Sequence, residues 1–553
     1  MVLRGRVLPS ENQKEGIVII RPAISRTMKA CAVACSVALG ISVLGACSGN
    51  SKPTTTKDGK PIVRISMRRN TTAVKLSSMG WTKKLEAACD CSIEWTEITD
   101  NAWGQQKSAK MAAGDFPDIG MSMYDRNDIS KYSSQFEDIA PHLKKMPNVQ
   151  KFFTARPVAQ KMVEDEGKIQ ILPSDRGKGY RVSATHMFIN KAWLDKLGLS
   201  MPTTWDELEN VLKAFKTQDP NGNGKADEVP MNIRGLNFGL WSALTLMNST
   251  GVTTAFMGSS AESQGYYVQD GKVKSYLTSD ALKDTIKFLN KLQSEGLIPK
   301  DSLTRDGSKY AAQTTSDGKT AITGFSFGWS RQNEYGTLAD QYASVPVLKQ
   351  TAGQSDSQVK WDYSQDYTEL ANALTVSKKA PNKDAIWKII NAMYDPEISI
   401  QQYYGDLDKY VTKSDNNTYT ISDKVYEKYV DTREIAAQDR FAGWIPDDYT
   451  ILNDTNADAV SADNEAVQPA LNNVNEKTDV VSIYAAPSAK DLDTLSTNNT
   501  SIFNYTDNML ATWFQKGGID KQWDEYVKQV NNKSLGLDQN ISIWQKAYDV
   551  AEK

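Results

Sequence analysis

Short oxygen-bearing side chains alternate along the segment DPNGNGKADEVP at residues 219–230. An aspartate and two asparagines occupy every second position, and carboxylate and amide oxygens at that spacing can converge on one hard cation. A backbone carbonyl and two further carboxylates follow within the same loop, so the sequence predicts a structural Ca²⁺ site. The predicted ligands are Asp219, Asn221, Asn223, Lys225, Asp227 and Glu228.

This loop departs from the EF-hand pattern at its last ligand position, where Pro230 stands in place of the usual glutamate. Glu228 would have to complete the coordination shell. The alternative is a solvated turn, which Asn and Gly residues commonly form without a metal. The coincidence of alternating oxygens with three carboxylates favours calcium, and nothing in the loop suggests redox or hydrolytic chemistry.

Aromatic side chains in polar, irregular segments form the second chemical pattern. The chain has 13 Trp and 23 Tyr, and a flat ring can cover the CH-rich face of a sugar while polar neighbours bond its hydroxyls. Four tryptophans lie among Gly, Ser, Asn, Asp or Pro and are predicted as such platforms, with simple packing as the alternative for each. These four are Trp241, Trp329, Trp361 and Trp444. Tryptophans inside periodic patterns, such as Trp95 and Trp193, are predicted as core.

Polar residues after predicted strands add further ligand candidates. The segments IVRISMRR and PDIGMS have strand patterns, and the loops that follow parallel strands gather at one edge of a sheet. These loops contain Arg69, Asn70 and Tyr124. Asp175 lies in a later connecting loop, where it can bond sugar hydroxyls or stay solvated.

Alternating strand and helix patterns would position these residues. Helical periodicity follows the first strand, the alternation continues through SIEWTEIT and PDIGMS, and it resumes after residue 167. Thr203 and Thr204, with Glu207 behind them, form a capping box that starts a helix. The section from Phe503 to Lys553 is predicted as amphipathic helix. This α/β alternation predicts mostly parallel sheets with ligand-binding loops at their carboxyl edges.

The N-terminal segment has the pattern of an export signal. From Met28, small and apolar residues run without a charge from residue 30 to Leu-Gly-Ala-Cys, and this run is short for a membrane span. The ending resembles the bacterial lipobox, whose cysteine is acylated, so Cys47 is the predicted lipid-bearing N-terminus. Residues 1–46 are then an extension and signal peptide. Residues 47–60, which lack apolar periodicity, are predicted as a flexible tether at the outer face of the membrane.

Composition argues against several classes of site. Without residues 1–46 the chain has 58 basic and 65 acidic side chains, and this formal net charge of −7 disfavours nucleic-acid binding. Two histidines, His142 and His186, are too few for a His-based zinc site or a Ser/His/Asp triad. Cys89 and Cys91 are the cysteines that follow the predicted lipid site. Because a bond between residues two apart is strained, they are predicted as unpaired thiols.

Five groups of residues, in their order and spacing, resemble the sugar-type extracellular solute-binding proteins, the family that includes maltose-binding protein, and especially a Gram-positive lipoprotein branch. They are GDFPDI at 114–119, INKAWLDKLGLSMPTTWDEL at 189–208, DPNGNGKADEVP at 219–230, GKTAI at 318–322, and WDEYV with IWQKAYD near the end. The resemblance covers about residues 61–553. It implies a monomeric, non-enzymatic receptor that captures an oligosaccharide for the permease subunits of an ABC importer.

The same resemblance implies an α/β fold of the type II periplasmic-binding-protein-like class, in which two interleaved lobes joined by a hinge enclose the ligand. The chain would cross the hinge near Pro173–Ala184 and again near Val345–Tyr367. Trp329 and Trp444 would face the cleft between the lobes. The implied bounds are residues 61–172 plus 345–397 for the first lobe and 175–344 plus 400–553 for the second.

Two other functions remain open from the residues. A secreted, surface-anchored glycoside hydrolase would also carry aromatic rings and carboxylates, but the sequence shows no eightfold strand and helix repeat. A peptide-binding or adhesive lipoprotein is the other alternative. The tether, the calcium loop and the two-lobe order favour a transport receptor over both.

Overall fold

The structure, a computed structural model, places the compact part of the chain between Pro53 and Lys553. The predicted extension and signal at 1–46, the lipid site at Cys47 and the ligand candidate Asn70 lie outside the described residues. The residues that the structure describes are 52–69, 74–258, 260–364, 370–414, 417–428, 432–482 and 485–552.

Strands concentrate in the N-terminal three-quarters of the described chain, and helices make up its C-terminal part. The strands are β1 Ile62–Arg69, β2 Ser92–Thr99, β3 Ile119–Met121, β4 Glu164–Asp165, β5 Lys168–Ile169, β6 Leu172–Ser174, β7 His186–Asn190, β8 Val229–Met231, β9 Tyr266–Gln269, β10 Lys272–Ser275, β11 Thr323–Gly328, β12 Tyr342–Ser344, β13 Leu370–Val376, β14 Val411–Lys413, β15 Thr418–Ile421 and β16 Thr450–Leu452.

The α-helices separate and cover these strands. They are α1 Gly80–Cys89, α2 Asp100–Ala113, α3 Arg126–Tyr132, α4 Pro147–Ala155, α5 Pro157–Val163, α6 Lys191–Leu197, α7 Trp205–Thr217, α8 Asp280–Ser294, α9 Gly307–Thr315, α10 Arg331–Tyr335, α11 Lys383–Met393, α12 Pro396–Tyr404, α13 Asp423–Lys428, α14 Thr455–Asn464, α15 Gln468–Leu471, α16 Glu476–Asp479, α17 Ala489–Lys516, α18 Ile519–Val530 and α19 Leu537–Ala551.

The first sheet has the strand order β2-β1-β3-β13-β6. Strand β1 is parallel to β2 and β3, whereas β13 is antiparallel to β3 and β6. Strand β13 comes from much later in the chain, so two separate chain segments build this sheet. Its hydrophobic core likewise combines residues 63–172 with residues 373–394. This topology confirms the predicted interleaving of the two lobes. The expectation of mostly parallel sheets is wrong, because most of the described strand pairs, including those of the late strand β13, are antiparallel.

The second sheet has the order β12-β7-β11-β8 and lies in a core formed by residues 187–363 and 467–548. Trp361 and Tyr363 pack in this second core. The lobe bounds implied by the sequence instead assign residues 345–397 to the first lobe. Packing therefore favours a second crossing that follows Tyr363, because these large rings are buried with the second sheet.

A third cluster of buried residues lies between positions 400 and 457 and includes Tyr180. It surrounds the small sheet β14-β15-β16. This segment also contacts the first lobe, because Asp406 Oδ1 accepts hydrogen bonds from the backbone N–H groups of Gly80 at 2.7 Å and Trp81 at 3.3 Å. Asp406 thereby caps helix α1 from a distant part of the chain. Residues after 400 thus pack against the first lobe as well as the second.

Local sequence signals account for several element boundaries. Helix α7 begins after Thr204, whose hydroxyl accepts the N–H of Glu207 at 3.2 Å, and Glu207 in turn accepts the N–H of Thr203 at 2.7 Å. The predicted cap is confirmed. The carboxylate of Glu207 accepts the N–H of Thr203, whereas in a standard capping box it would accept that of the N-cap residue, Thr204. Helix α2 ends at Ala113, and Gly114 follows as its C-cap in the left-handed conformation that glycine favours. The final helical region begins at 489, ahead of the predicted 503.

The expectation of two unpaired thiols is wrong, because Cys89 and Cys91 form a disulfide. Asp90 between them adopts the left-handed conformation, φ 48° and ψ 49°, at the end of helix α1. This turn folds the chain back and leaves the two Cα atoms 5.1 Å apart, within the range that a disulfide spans. Both cysteines are buried.

The tether predicted at 47–60 is attached to the fold over most of the part that the structure describes. A turn forms at 56–59, and the carbonyl of Thr54 accepts the N–H of Ile62 at 2.9 Å and Nδ2 of Asn382 at 2.7 Å. From Thr54 onward the chain is held against the first sheet, contrary to the expectation of flexibility. Within the described ranges, none of the helices combines the length and the apolar character that a membrane crossing requires.

Candidate functional site

Polar and aromatic residues gather at one edge of the second sheet. Strand β11 ends at Gly328, which pairs with His186 at the start of the antiparallel strand β7. Strand β8 is parallel to β11 and ends at Met231. Trp329 and Arg234, which follow these two strands, therefore lie at the same carboxyl edge as the first hinge crossing. Ligands of open α/β sheets bind outside such edges.

The segment Ala184-Thr185-His186 links three of the four predicted tryptophans. The indole N–H of Trp241 donates to the carbonyl of Ala184 at 2.9 Å, and that of Trp361 donates to the carbonyl of Thr185 at 2.8 Å. Nδ1 of His186 bonds the carbonyl of Trp329 at 2.7 Å. Burial lowers the pKa of His186, so the neutral ring, protonated at Nδ1, fits this contact. The hinge crossing thus fixes where these three tryptophans lie.

The four tryptophans divide by burial. Trp361 is fully buried in the second core, and Trp444 stacks on Phe152 with ring centroids 5.6 Å apart in the first core. Neither ring is available to cover a sugar in this conformation. Trp241 and Trp329, by contrast, are half-buried.

Trp329 lies where the second sheet meets the third cluster. Its indole N–H donates to Oδ1 of Asn456 at 3.3 Å, and the guanidinium carbon of Arg176 lies 5.9 Å from the ring centroid. Arg176 also covers the ring of Tyr180 at 4.7 Å. The hydroxyl of Tyr180 donates to the buried carboxylate of Asp454 at 2.9 Å. An aromatic face bordered by an amide and a guanidinium can recognise both the CH face and the hydroxyls of a sugar.

Trp241 has a comparable arrangement at the end of β8. Its backbone is left-handed at φ 60°, and its ring lies 4.9 Å from the guanidinium carbon of Arg234. Arg234 donates to Glu334 at 2.7 Å and also covers the ring of Tyr310 at 4.2 Å. Both half-buried tryptophans are therefore accompanied by an arginine.

Two of the remaining predicted ligand residues are built into the first lobe. Arg69 is buried, forms an ion pair with Glu97 at 2.7 Å and reaches the carbonyl of Ala436 at 3.4 Å. Tyr124 packs edge-on against Trp103 with ring centroids 5.6 Å apart, and burial raises the pKa of its hydroxyl. Tyr124 thus lies in the core of the first lobe, whereas Arg69 joins the first sheet to the third cluster.

Asp175 lies at the first crossing in a network of charges. Its carboxylate is 2.7 Å from Arg181 and 3.2 Å from Arg156, and it is almost fully buried. Arg181 also forms two hydrogen bonds of 2.8 Å with Asp447. Because these partners come from three chain segments, Asp175 holds the crossing together and has little capacity left for a sugar hydroxyl.

The predicted calcium loop is organised around the carboxylate of Asp219. Its two oxygens accept the backbone N–H groups of residues 222, 223 and 224 at 3.0 to 3.1 Å. The side-chain amides of Asn221 and Asn223 donate to Asp227 at 3.1 to 3.2 Å. The loop thus curls its oxygen-bearing side chains inward, as a cation site requires.

The donor set of this loop fits calcium. Oε1 of Glu228 is buried and has no hydrogen-bond partner among the described residues, and burial together with Asp227 and Asp219 raises the pKa of its carboxyl. The side chains of the described residues form no cluster of three His, Cys, Asp or Glu at metal-binding distances. The amide oxygens of Asn221 and Asn223 accept the backbone N–H groups of Asn223 at 3.0 Å and Lys225 at 2.8 Å, so each would use its second lone pair to bind a cation.

Several residues of these arrangements were missed by the reading of the sequence. Arg234 follows strand β8, so its position at a strand end was a usable signal. Glu334 and Asp454 carry no local signal, because their partners lie far away in the chain. Asp463 is another such residue, and it accepts from the backbone N–H of Arg331 at 2.8 Å at the same sheet edge.

The chain resembles proteins described as components of sugar transporters. The sequence profile of the family described as bacterial extracellular solute-binding protein matches residues 77–399. The structure of an HMO-binding, ABC-transporter-associated solute-binding protein from Bifidobacterium longum infantis is 45% identical. It superposes with a TM-score of 0.85 and covers 90% of this chain and 100% of its own.

A second relative is the fructooligosaccharide ABC transporter substrate-binding protein FusA of Streptococcus pneumoniae. It is 28% identical over 494 residues, which are 84% of this chain and 86% of FusA. Its structure in complex with kestose has a TM-score of 0.74 at 25% identity and covers 88% of this chain and 99% of that one. Another FusA structure, described as an EF-hand mutant with fructo-nystose, has a TM-score of 0.75 at 24% identity, with the same coverage, and supports the fold.

Proposed function

The chain belongs to the family of bacterial extracellular solute-binding proteins, and we propose that it captures an oligosaccharide between its two lobes for an ABC importer. The observation that carries the proposal is the similarity, at 45% identity over 90% of this chain, to a protein described as HMO-binding and ABC-transporter-associated. FusA, whose structure contains kestose, supports the same class of ligand. Permease subunits of the importer are the expected protein partners.

The site chemistry supports a sugar. Trp241 and Trp329 are half-buried at the carboxyl edge of the second sheet, and each lies beside an arginine. Rings cover CH-rich faces, while guanidinium and amide groups bond hydroxyls. We propose these two tryptophans as the platforms of the site. Four other predicted residues support the site through packing and ion pairs: Trp361, Trp444, Tyr124 and Asp175.

A receptor role without turnover is part of the proposal. The relatives are described as binding proteins of transporters. A receptor must release its sugar unchanged to the permease, whereas a glycoside hydrolase would place two carboxylates across the scissile bond. The acidic groups near Trp329 and Trp241 are engaged by tyrosine and arginine partners, which suits positioning of the donors around a sugar.

The proposed location is the outer face of the cell membrane, with Cys47 acylated. The support is the sequence from Met28 to Cys47, whose charged start, apolar run and small residues before the cysteine fit export and lipidation. The compact unit begins at Pro53, only a few residues after that cysteine. We therefore expect a short connection between the lipid and the first lobe.

Calcium is proposed as a structural ion of the loop at 219–228. Asp219, Asp227 and Glu228 would supply carboxylates, and Asn221 and Asn223 would supply amide oxygens. A bound Ca²⁺ would neutralise the repulsion among these carboxylates and hold the loop that follows helix α7.

A binding screen tests the proposed function. Purified residues 48–553, which contain the whole compact unit, would be titrated with kestose and with a panel of plant and host oligosaccharides, following tryptophan fluorescence. We expect saturable binding with no hydrolysis product in chromatography of the recovered sugar. Release of shorter sugars would indicate a hydrolase, and binding of peptides alone would indicate the peptide-binding alternative.

A further inference from the structure

The guanidinium of Arg234 is held between two aromatic rings. Its carbon lies 4.2 Å from the ring centroid of Tyr310 and 4.9 Å from that of Trp241. Tyr310 is buried in the second lobe, whereas the Arg234 side chain remains 34% exposed. A planar cation between two rings has little rotational freedom, so its N–H groups point in fixed directions.

One of these N–H groups is bound by a buried carboxylate. Arg234 donates to Oε2 of Glu334 at 2.7 Å, and the Glu334 side chain is 2% exposed. Tyr310 and Ser326 direct their hydroxyls at Oε1 of the same carboxylate. The absence of a side chain at Gly328 lets the carboxylate of Glu334 lie close to strand β11, because a Cβ at residue 328 would be 2.8 Å from Oε2 of Glu334. Burial raises the pKa of Glu334, and its three donors oppose that rise.

The remaining N–H groups of Arg234 are available on the exposed side. A guanidinium has five N–H donors in a planar fork, and one is committed to Glu334. The neighbouring Arg305 differs, because it donates to Gln313, Asn232 and the carbonyl of Ile233. Arg305 thus supports the fold, whereas Arg234 presents donors beside the half-buried Trp241.

Charge determines which ligand these donors suit. The charge of Arg234 is balanced at 2.7 Å by Glu334, so a carboxylate on the ligand would meet an ion pair and gain little Coulomb energy. Adjacent hydroxyls on a neutral sugar can accept two parallel N–H bonds without adding a charge. The aromatic ring of Trp241 can cover the adjoining CH face of the same sugar unit.

We propose that Arg234, fixed by Glu334 and Tyr310, is a specificity-determining residue that binds vicinal hydroxyls of a neutral sugar unit stacked on Trp241. This inference rests on the proposed function and names the class of sugar that the Trp241 side of the site accepts.

Titration calorimetry with three probes tests the assignment: kestose, a neutral milk tetrasaccharide and trigalacturonate, which carries carboxylates. The first variant is Arg234→Lys, which keeps the charge opposite Glu334 but loses the planar fork. We expect about a tenfold or greater loss of affinity for the neutral probe that the parent binds best, with the fold retained. Arg64→Lys is the matched control, because Arg64 forms an ion pair with Glu94 at 2.9 Å on the first sheet; it should bind like the parent.

A second variant, Glu334→Gln, tests the role of charge balance. It leaves the guanidinium uncompensated, so affinity for trigalacturonate relative to the neutral probe should rise about tenfold. If this variant does not fold, the double variant Arg234→Gln with Glu334→Gln keeps both side chains polar and neutral and should weaken binding of the neutral probe like Arg234→Lys.

The outcomes separate this inference from the function on which it rests. Unchanged affinity in Arg234→Lys, or a parent protein that prefers trigalacturonate, overturns the inference and leaves the transport function standing. A parent protein that binds none of the three sugars counts against the proposed function and removes the inference with it.

Discussion

The main chains of Asp175 and Trp444 run side by side as an isolated parallel bridge. The N–H of Asp175 donates to the carbonyl of Gly443 at 3.1 Å, and the carbonyl of Asp175 accepts the N–H of Ile445 at 2.9 Å. Both residues were predicted as ligand contacts from their polar, irregular surroundings. Their pairing instead fastens the first hinge crossing to residues 443–445, which lie within the chain range of the third cluster.

Replacement of Trp444 and replacement of Trp329 should therefore give different phenotypes, because Trp444 is buried and Trp329 is half-buried. Trp444→Ala removes a buried ring that stacks on Phe152, so it should lower the free energy of unfolding by about 3 to 5 kcal/mol. Trp329→Ala removes a half-buried ring and should weaken oligosaccharide binding by roughly tenfold to a hundredfold, with a smaller loss of stability. Melting and titration of the same samples check both. Equal binding by the parent and Trp329→Ala would exclude Trp329 from the site.

Calcium removal should lower the melting temperature. A cation that binds only the folded chain stabilises it by mass action, so chelation should shift the melt of the parent protein, and readdition of Ca²⁺ should restore it. Asp219→Ala removes the carboxylate around which the loop is organised and should abolish the shift. Lys225→Ala is the control, because it keeps the backbone carbonyl. An identical melt before and after verified metal removal would disprove the site.

The pair Cys89 and Cys91 should be oxidised in the mature protein. Because both sulfurs are joined and buried, alkylation of the unfolded, unreduced chain should add no mass, and reduction first should allow two additions. The matched double variant Cys89→Ser with Cys91→Ser should gain no mass from alkylation, either with or without prior reduction. Two alkylated cysteines without reduction would restore the expectation of free thiols.

Lipidation at Cys47 is checked by mass spectrometry of protein from a lipidation-competent host. The small residues before Cys47 should direct cleavage there, so the mature chain should begin with an acylated cysteine. Cys47→Ala should leave the protein unacylated. Recovery of a mature protein that retains residues 28–46 would show that the signal is not used in this way.

The sequence predicted local structure well where the signal itself is local. Strand β1, strand β2 and helix α7 follow alternation, helical periodicity and a capping threonine within a few residues. The late strand β13 inserts between β3 and β6, whereas the family resemblance implied only that the segment containing β13 belongs to the first lobe. No periodicity within β13 specifies its partners, because strand pairing depends on the whole sheet.

The candidate site was harder to predict, because burial depends on distant residues. The segments around Trp329 and Trp444 look alike in composition. Trp444 is nevertheless buried against Phe152, whereas Trp329 is half-buried. Arg234 and Glu334 are separated by 100 positions and meet only because β8 and β11 are neighbours in the sheet. Cys89 and Cys91 were misread because the left-handed turn at Asp90 is not evident from their spacing.

A buried carboxyl in the second lobe should make stability depend on pH. Glu262 is 1% exposed, its Oε1 accepts the N–H of Val481 at 3.0 Å, and its Oε2 has no hydrogen-bond partner among the described residues. Burial raises the pKa of Glu262 from 4.5 to about 8. The folded chain therefore holds a proton between these values that the unfolded chain has released.

Because the folded state binds the extra proton, the free energy of unfolding should fall as pH rises from about 4.5 to about 8, by up to about 1.4 kcal/mol per pH unit from this group. Glu262→Gln keeps an acceptor for Val481 and cannot ionise, so it should remove this slope and stabilise the protein most at pH 8. Denaturant unfolding at pH 5, 6.5 and 8 measures both effects. Glu94→Gln on the surface is the control and should follow the parent; a Glu262→Gln profile parallel to the parent's would show that Glu262 does not hold its proton.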